Sequence, residues 1–265
     1  MNAGVDSDLG TNVYAEQLVA AVKRGDVAVA TIDKAVRRIL SLKFQMGLFD
    51  DPFVDEKQAV QLVASSEHTG LAREVARQSI VLLKNKDKLL PLKKDIRPLA
   101  VIGPNADNVY NMLGDYTAPQ ADGTVVTVLD GIRQKVSKET RVLYAKGCAV
   151  RDSSRTGFKD AIETARNADA VVMVMGGSSA RDFSSEYEET GAAKVTINQI
   201  SDMESGEGYD RATLHLMGRQ LELLEEISRL GKPVVLVLIK GRPLLMEGAI
   251  QEAEAIVDAW YPGMQ

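Results

Sequence analysis

The sequence predicts an α/β protein built on a mostly parallel sheet with helices on both faces. Two observations lead there. From residue 99 onward, short β-branched-rich apolar runs each stop at glycine, proline or a polar loop. Amphipathic helical stretches separate those runs, and continuous apolar strands alternating with such helices are the pattern of a parallel sheet buried on both sides.

The chain opens with helices. Between Asn12 and Leu48, Val13, Leu18, Val19, Ala21 and Val22 form one apolar face, and Ile32, Val36, Ile39 and Leu40 form another, with Gly25-Asp26 breaking the pattern between them. Two such helices cannot make a core alone and need further polypeptide to cover them. Gly47-Leu48-Phe49-Asp50-Asp51-Pro52-Phe53 is turn chemistry, which sets the domain boundary. Residues 1–50 form one piece, 51–64 a linker, and 65–265 an α/β domain. Within that domain a helix is expected over 66–77 and a short buried strand over 79–85. Leu89-Leu90-Pro91-Leu92 should follow as an apolar patch anchored in a loop.

Five further strands are predicted over 99–103, 141–144, 170–176, 233–239 and 255–260. Helices are predicted over 125–136, 156–168 and 213–230, the last with an apolar stripe of Leu214, Leu216, Leu221, Leu224, Ile227 and Leu230. Residues 177–212 break the rhythm with a polar, acidic, glycine- and serine-rich stretch. Loops this long in a domain are usually functional or disordered. In open parallel sheets, ligands bind at the carboxyl ends of the strands, where this one begins.

Composition excludes several classes. The 265 residues carry 32 basic and 37 acidic side chains, a net charge of −5, with no basic stripe of the kind nucleic-acid binders present. One cysteine, Cys148, forbids an intrachain disulfide, and two histidines, His68 and His215, leave little room for a histidine-rich metal site or a serine-histidine-acid triad. No apolar run approaches the ~18 residues of a membrane span. The first residues, Met1-Asn2-Ala3-Gly4-Val5-Asp6, show no secretory signal.

Two clusters in the long loop are candidates for chemistry. Gly176-Gly177-Ser178-Ser179-Ala180-Arg181-Asp182-Phe183 follows a strand directly. It is open to two readings: a glycine-permitted tight turn, or a ligand-lining segment using Arg181 and Asp182. It lacks the spacing of a dinucleotide or phosphate loop. Downstream lies Ser201-Asp202-Met203-Glu204-Ser205-Gly206-Glu207-Gly208-Tyr209-Asp210-Arg211. Glycines on either side of Glu207 let the backbone present one carboxylate at a loop tip. A general acid needs burial or a nearby acid to stay protonated near neutrality, and Asp202, Glu204 and Asp210 are the acidic neighbours in sequence. The alternative is a solvated acidic loop.

An ordered set of stretches runs along the chain: Asn2-Ala3-Gly4-Val5-Asp6, Ala35-Val36-Arg37-Arg38-Ile39-Leu40, Lys43-Phe44-Gln45-Met46-Gly47-Leu48-Phe49, Ala72 to Asn85, Val101-Ile102-Gly103-Pro104-Asn105-Ala106, Ser205 to Arg211, Lys240-Gly241-Arg242-Pro243 and Ala259-Trp260-Tyr261-Pro262-Gly263. Taken together, these give the chain a resemblance to glycoside hydrolase family 3, the retaining β-glucosidases and β-xylosidases. It implies that residues 1–50 are the last helices of a (β/α)8 barrel and that 65–265 are a C-terminally incomplete sandwich domain. The chain would then be an internal fragment.

By the same resemblance, Glu207 is the general acid/base, while Arg181, Asp182, Phe183, Asp210 and Arg211 bind substrate. The nucleophile would be an aspartate of the barrel in a Ser-Asp-Trp or Ser-Asp-Tyr motif, which this chain does not contain. The implied substrate is an oligosaccharide or other β-glycoside, with no metal or organic cofactor, and a periplasmic or secreted setting. The rival expectation is a flavodoxin-like module that binds a small ligand without chemistry; a third is an inactive regulatory relative.

Overall fold

The computed structural model describes residues 1–181 and 202–264. They fall into two units, Met1–Ser65 and residues 66–264.

In the first unit, α1 (Val13–Arg24) ends at Gly25, whose φ of 82° lets its N–H reach back to the carbonyls of Ala21 and Val22. This is the left-handed helix stop that glycine adopts without strain. α2 (Val29–Gln45) follows. A third helix, α3 (Glu56–Leu62), occupies the stretch read as linker, where the Asp55 carboxylate caps it by accepting from the N–H groups of Lys57 and Gln58. Arg38 ties α2 to the amino-terminal segment through Asp6, with Nε 2.6 Å from one carboxylate oxygen, and that contact holds the Asp6 carboxyl below its ordinary range. Ala35 is the one buried residue of Met1–Ser65.

The second unit begins with α4 (Ser66–Ser79) and β1 (Val81–Asn85), then β2 (Leu99–Ile102), α5 (Val109–Leu113), α6 (Val128–Lys135) and β3 (Val142–Ala145). α7 (Phe158–Arg166), β4 (Ala170–Gly176), α8 (Gln220–Ser228), β5 (Val234–Ile239), α9 (Glu247–Glu252) and β6 (Ala255–Trp260) complete it. The six strands form one sheet in the order β1-β6-β5-β4-β2-β3. β1 runs antiparallel to β6 and every other pairing is parallel. The α/β class and the mostly parallel sheet are thus as expected.

Side-chain alternation builds two cores. Ala100, Ile102, Val171, Met173, Met175, Leu236 and Leu238 face one way, against Ala161 and Ala165 of α7, Leu223, Leu224 and Ile227 of α8, and Ala249 of α9. Leu99, Val101, Val172, Val174 and Val235 face the other, against Leu129 and Ile132 of α6 and the Leu89, Leu90, Leu92 patch. Each fully buried Leu, Ile or Val side chain is worth about 1.5–3 kcal/mol relative to exposure, so the sheet is the stable centre of this unit.

Three expectations need correction. The strand over 79–85 is not buried: it is an edge strand, with Val81, Leu82 and Leu83 each 42–55% exposed. The helix expected over 213–230 is shorter, because Gly218 turns with φ +62° and its missing Cβ would sit 2.8 Å from the Val150 and Asp152 carbonyls. Leu214 therefore lies off the helix and is 46% exposed. The short helices α5 and α9 were not expected at all; α5 is only five residues long, too short to show a 3.6-residue period. No helix among the described residues is long and apolar enough to cross a membrane.

Strand order locates the crevice. β2 is followed by β3 on one side, whereas β4 is followed by β5 on the other. The connections leaving β2 and β4 diverge, and such a topological switch point is where doubly wound sheets bind ligands.

Candidate active site

A buried polar platform closes the carboxyl edge at that switch point. Asn105, just past β2, donates its amide N–H to the Gly177 carbonyl at 3.0 Å and accepts from the Asn111 amide at 2.7 Å. The Ser178 hydroxyl donates to Asn111 at 2.6 Å. Gln220, fully buried at the start of α8, accepts from the Gly176 N–H and donates to the Gly176 and Val150 carbonyls. Buried amides satisfied this completely fix the backbone around them, so the loops leaving β2 and β4 start from rigid ground.

The Glu207 loop is tied at its base by a buried ion pair. Arg211 lies 3.0 Å from the Glu204 carboxylate, with both side chains 1–2% exposed, and the Glu204 N–H donates to the Ser178 carbonyl at 2.8 Å. Glycine 177 makes room for this: a Cβ there would lie 2.0 Å from a Glu204 carboxylate oxygen. At the tip, Gly206 and Tyr209 bridge across the turn. Gly206 has φ +123°, and a Cβ there would come within 2.9 Å of Asp115 Oδ2. The glycine thus permits both the turn and the approach of Asp115.

Asp115 and Tyr116, immediately after α5, meet the loop tip. Asp115 accepts from Arg181 Nε at 2.7 Å, from Arg181 Nη2 at 3.1 Å and from the Glu207 backbone N–H at 3.3 Å. Arg181 also donates to the Glu207 carbonyl at 2.9 Å, and the same Nη2 lies 3.6 Å from Glu207 Oε2. The Tyr116 hydroxyl donates to Oε2. That bond, together with the Glu207 and Asp115 charges, pushes the Tyr116 phenol above its ordinary range. The Glu207 side chain keeps 39% exposure: its backbone is fixed, but its carboxyl group reaches solvent.

The other sequence candidates have these surroundings. Arg181 is only 8% exposed and faces Asp115 and Glu207. Arg211 is engaged with buried Glu204. Asp210 is exposed and pairs with Arg242 at 3.0 Å; the Arg211 N–H and that guanidinium hold its carboxyl below the usual range. Asp202 accepts from the backbone N–H groups of Val150 and Arg151. The acid that reaches the Glu207 turn is Asp115, which sequence reading missed; Asp182 and Phe183 lie outside the described residues. No cluster of three or more His, Cys, Asp or Glu side chains among the described residues is placed to hold a metal.

Comparison with known proteins places the chain in a family. Residues 80–265 match the model of the glycosyl hydrolase family 3 C-terminal domain. The chain belongs to glycoside hydrolase family 3. A β-xylosidase from Formosa agariphila is 38% identical across the whole chain, which spans 35% of that protein. A periplasmic β-glucosidase from Salmonella typhimurium is 33% identical, again across the whole chain and 35% of the relative. Among solved structures, a β-glucosidase from Erythrobacter marinus superposes with a TM-score of 0.80 at 35% identity, covering 100% of this chain and 36% of that one. A β-glucosidase from Listeria innocua in complex with glucose gives 0.78 at 28% identity, covering 99% and 32%. The chain therefore spans about a third of the length of the relatives it matches.

Proposed function

We propose that this chain supplies the general acid/base, Glu207, to a retaining exo-acting glycosidase that removes β-linked sugars from the non-reducing ends of oligosaccharides. The observation supporting this is a single carboxylate with a fixed backbone and a partly exposed side chain, presented at the switch point of the sheet. In the first step, protonated Glu207 gives its proton to the glycosidic oxygen. The bonding pair leaves with that oxygen as an aspartate forms the bond to the anomeric carbon. In the second step Glu207 takes a proton from water, whose oxygen displaces the aspartate. Retention needs the two carboxyl groups about 5–5.5 Å apart.

The aspartate would come from barrel polypeptide beyond this chain, with α1 and α2 as that barrel's last helices and residues 65–265 as the sandwich domain. Asp182 and Phe183 are proposed to shape the leaving-group side, and Asp210 to bind substrate. Arg181 and Arg211 act from behind, holding the loop. The periplasmic relative supports an exported setting. On this reading the 265-residue chain alone releases no nitrophenol from aryl β-glycosides. Release that Glu207→Gln abolishes would contradict it. In a full-length protein, Glu207→Ala should slow substrates with poor leaving groups far more than activated ones, which need little protonation; equal losses would point to another acid.

A further inference from the structure

We infer that Tyr116 is a positioning residue for Glu207, and that by occupying Oε2 it assigns the transferable proton to Oε1. The inference rests on the reading of Glu207 as the acid, and three features of the structure support it.

First, the Tyr116 hydroxyl donates to Oε2, the oxygen that also has Arg181 Nη2 at 3.6 Å. Oε1 has no hydrogen-bond partner among the described residues. In a protonated carboxyl group the carbonyl oxygen is the stronger acceptor, so a donor at Oε2 favours the proton on Oε1. Secondly, Tyr116 has φ +57°, a left-handed backbone that bulky residues rarely adopt and that marks local strain. Tyr116 is 74% exposed, so core packing does not account for the conformation. Thirdly, the Arg181 guanidinium carbon lies 5.6 Å from the centre of the Tyr116 ring, within cation–π range. One cation thus braces both the phenol and the carboxylate.

As the proton leaves Oε1 for the glycosidic oxygen, negative charge grows on the carboxylate and the bond from Tyr116 strengthens. The phenol keeps its own proton throughout. Its help is therefore greatest where proton transfer matters most.

The test uses a full-length enzyme carrying this sequence. Tyr116→Phe should lower kcat/KM for an alkyl or disaccharide β-glycoside at least about tenfold, the size expected for losing a hydrogen bond to a charged group. For a dinitrophenyl β-glycoside the change should stay within about twofold. Tyr116→Gly, which relieves the positive φ, should show the same split with an undiminished thermal midpoint, an outcome a merely structural role would not give. On the 265-residue chain, 13C-labelled tyrosine should show the Tyr116 ring titrating at lower pH in Glu207→Gln than in the wild type. If Tyr116→Phe leaves both substrates unchanged or slows both equally while Glu207→Ala still separates them, the inference is overturned. If Glu207→Ala separates nothing, the acid reading itself fails.

Discussion

The two units bury very different shares of their apolar side chains. α2 carries Val36, Leu40, Leu42 and Phe44, all 39–64% exposed, and its unit buries Ala35 alone. In the second unit, β4 is buried along its whole length, and the sheet is covered on both faces. The lesson is that periodicity says which face of a helix seeks cover, but not where the cover comes from. The first unit has the pattern of a packed element without the packing, whereas the second completes its own core and can hold Glu207 on rigid ground.

The largest contrast should appear between two ion pairs. Arg211→Met leaves Glu204 charged and buried, which costs about 3–5 kcal/mol. Arg38→Met breaks a solvent-facing pair with Asp6 and should not measurably move unfolding of the second unit. Trp260, the one tryptophan, ends β6 in the second unit, so its fluorescence in urea reports both outcomes. Equal shifts would erase the contrast.

Next in size, Leu236→Ala, at a fully buried position of β5, should cost about 2–5 kcal/mol. Leu40→Ala on α2 should stay near the half kcal/mol typical of surface changes. A comparable loss from both would mean that α2 is covered in solution by something other than water.

The last effect is read against pH and concerns Cys148. Burial pushes its thiol up to about 12, against roughly 8.5 for an exposed cysteine. A folded pKa above the unfolded one contributes stability that is complete below the unfolded value. That stability is lost as pH rises from there through the folded value. The difference in urea midpoint between wild type and Cys148→Ala should therefore shift steadily against the wild type from about pH 8.5 upward. A constant difference would show that the thiol titrates normally.

Much of the second unit was legible in the sequence because its strands are continuous apolar runs ended by glycine or proline, and five of them fall within a residue or so of the predicted limits. β1 was misjudged because a short apolar run looks the same at an edge as in the middle of a sheet. Gly218 stopped a helix whose stripe looked unbroken, because its turn is set by the Val150 and Asp152 carbonyls, contacts distant in sequence. At the site, Glu207 announced itself through its flanking glycines. Asp115 and Tyr116 did not: they lie 92 and 91 residues from Glu207 in the chain, and only strand order brings them to it. The length of the connection after β2 was the available sign.

The most direct test of the acid/base role is the product that a full-length Glu207→Ala variant makes from an activated β-glycoside in azide. Azide needs no general base, so it should attack the waiting glycosyl-enzyme, accelerate turnover and yield the β-glycosyl azide. Formation of the α-glycosyl azide would instead mean that azide had replaced a lost nucleophile, and no acceleration would mean that Glu207 serves neither step; either result would contradict the role assigned to it.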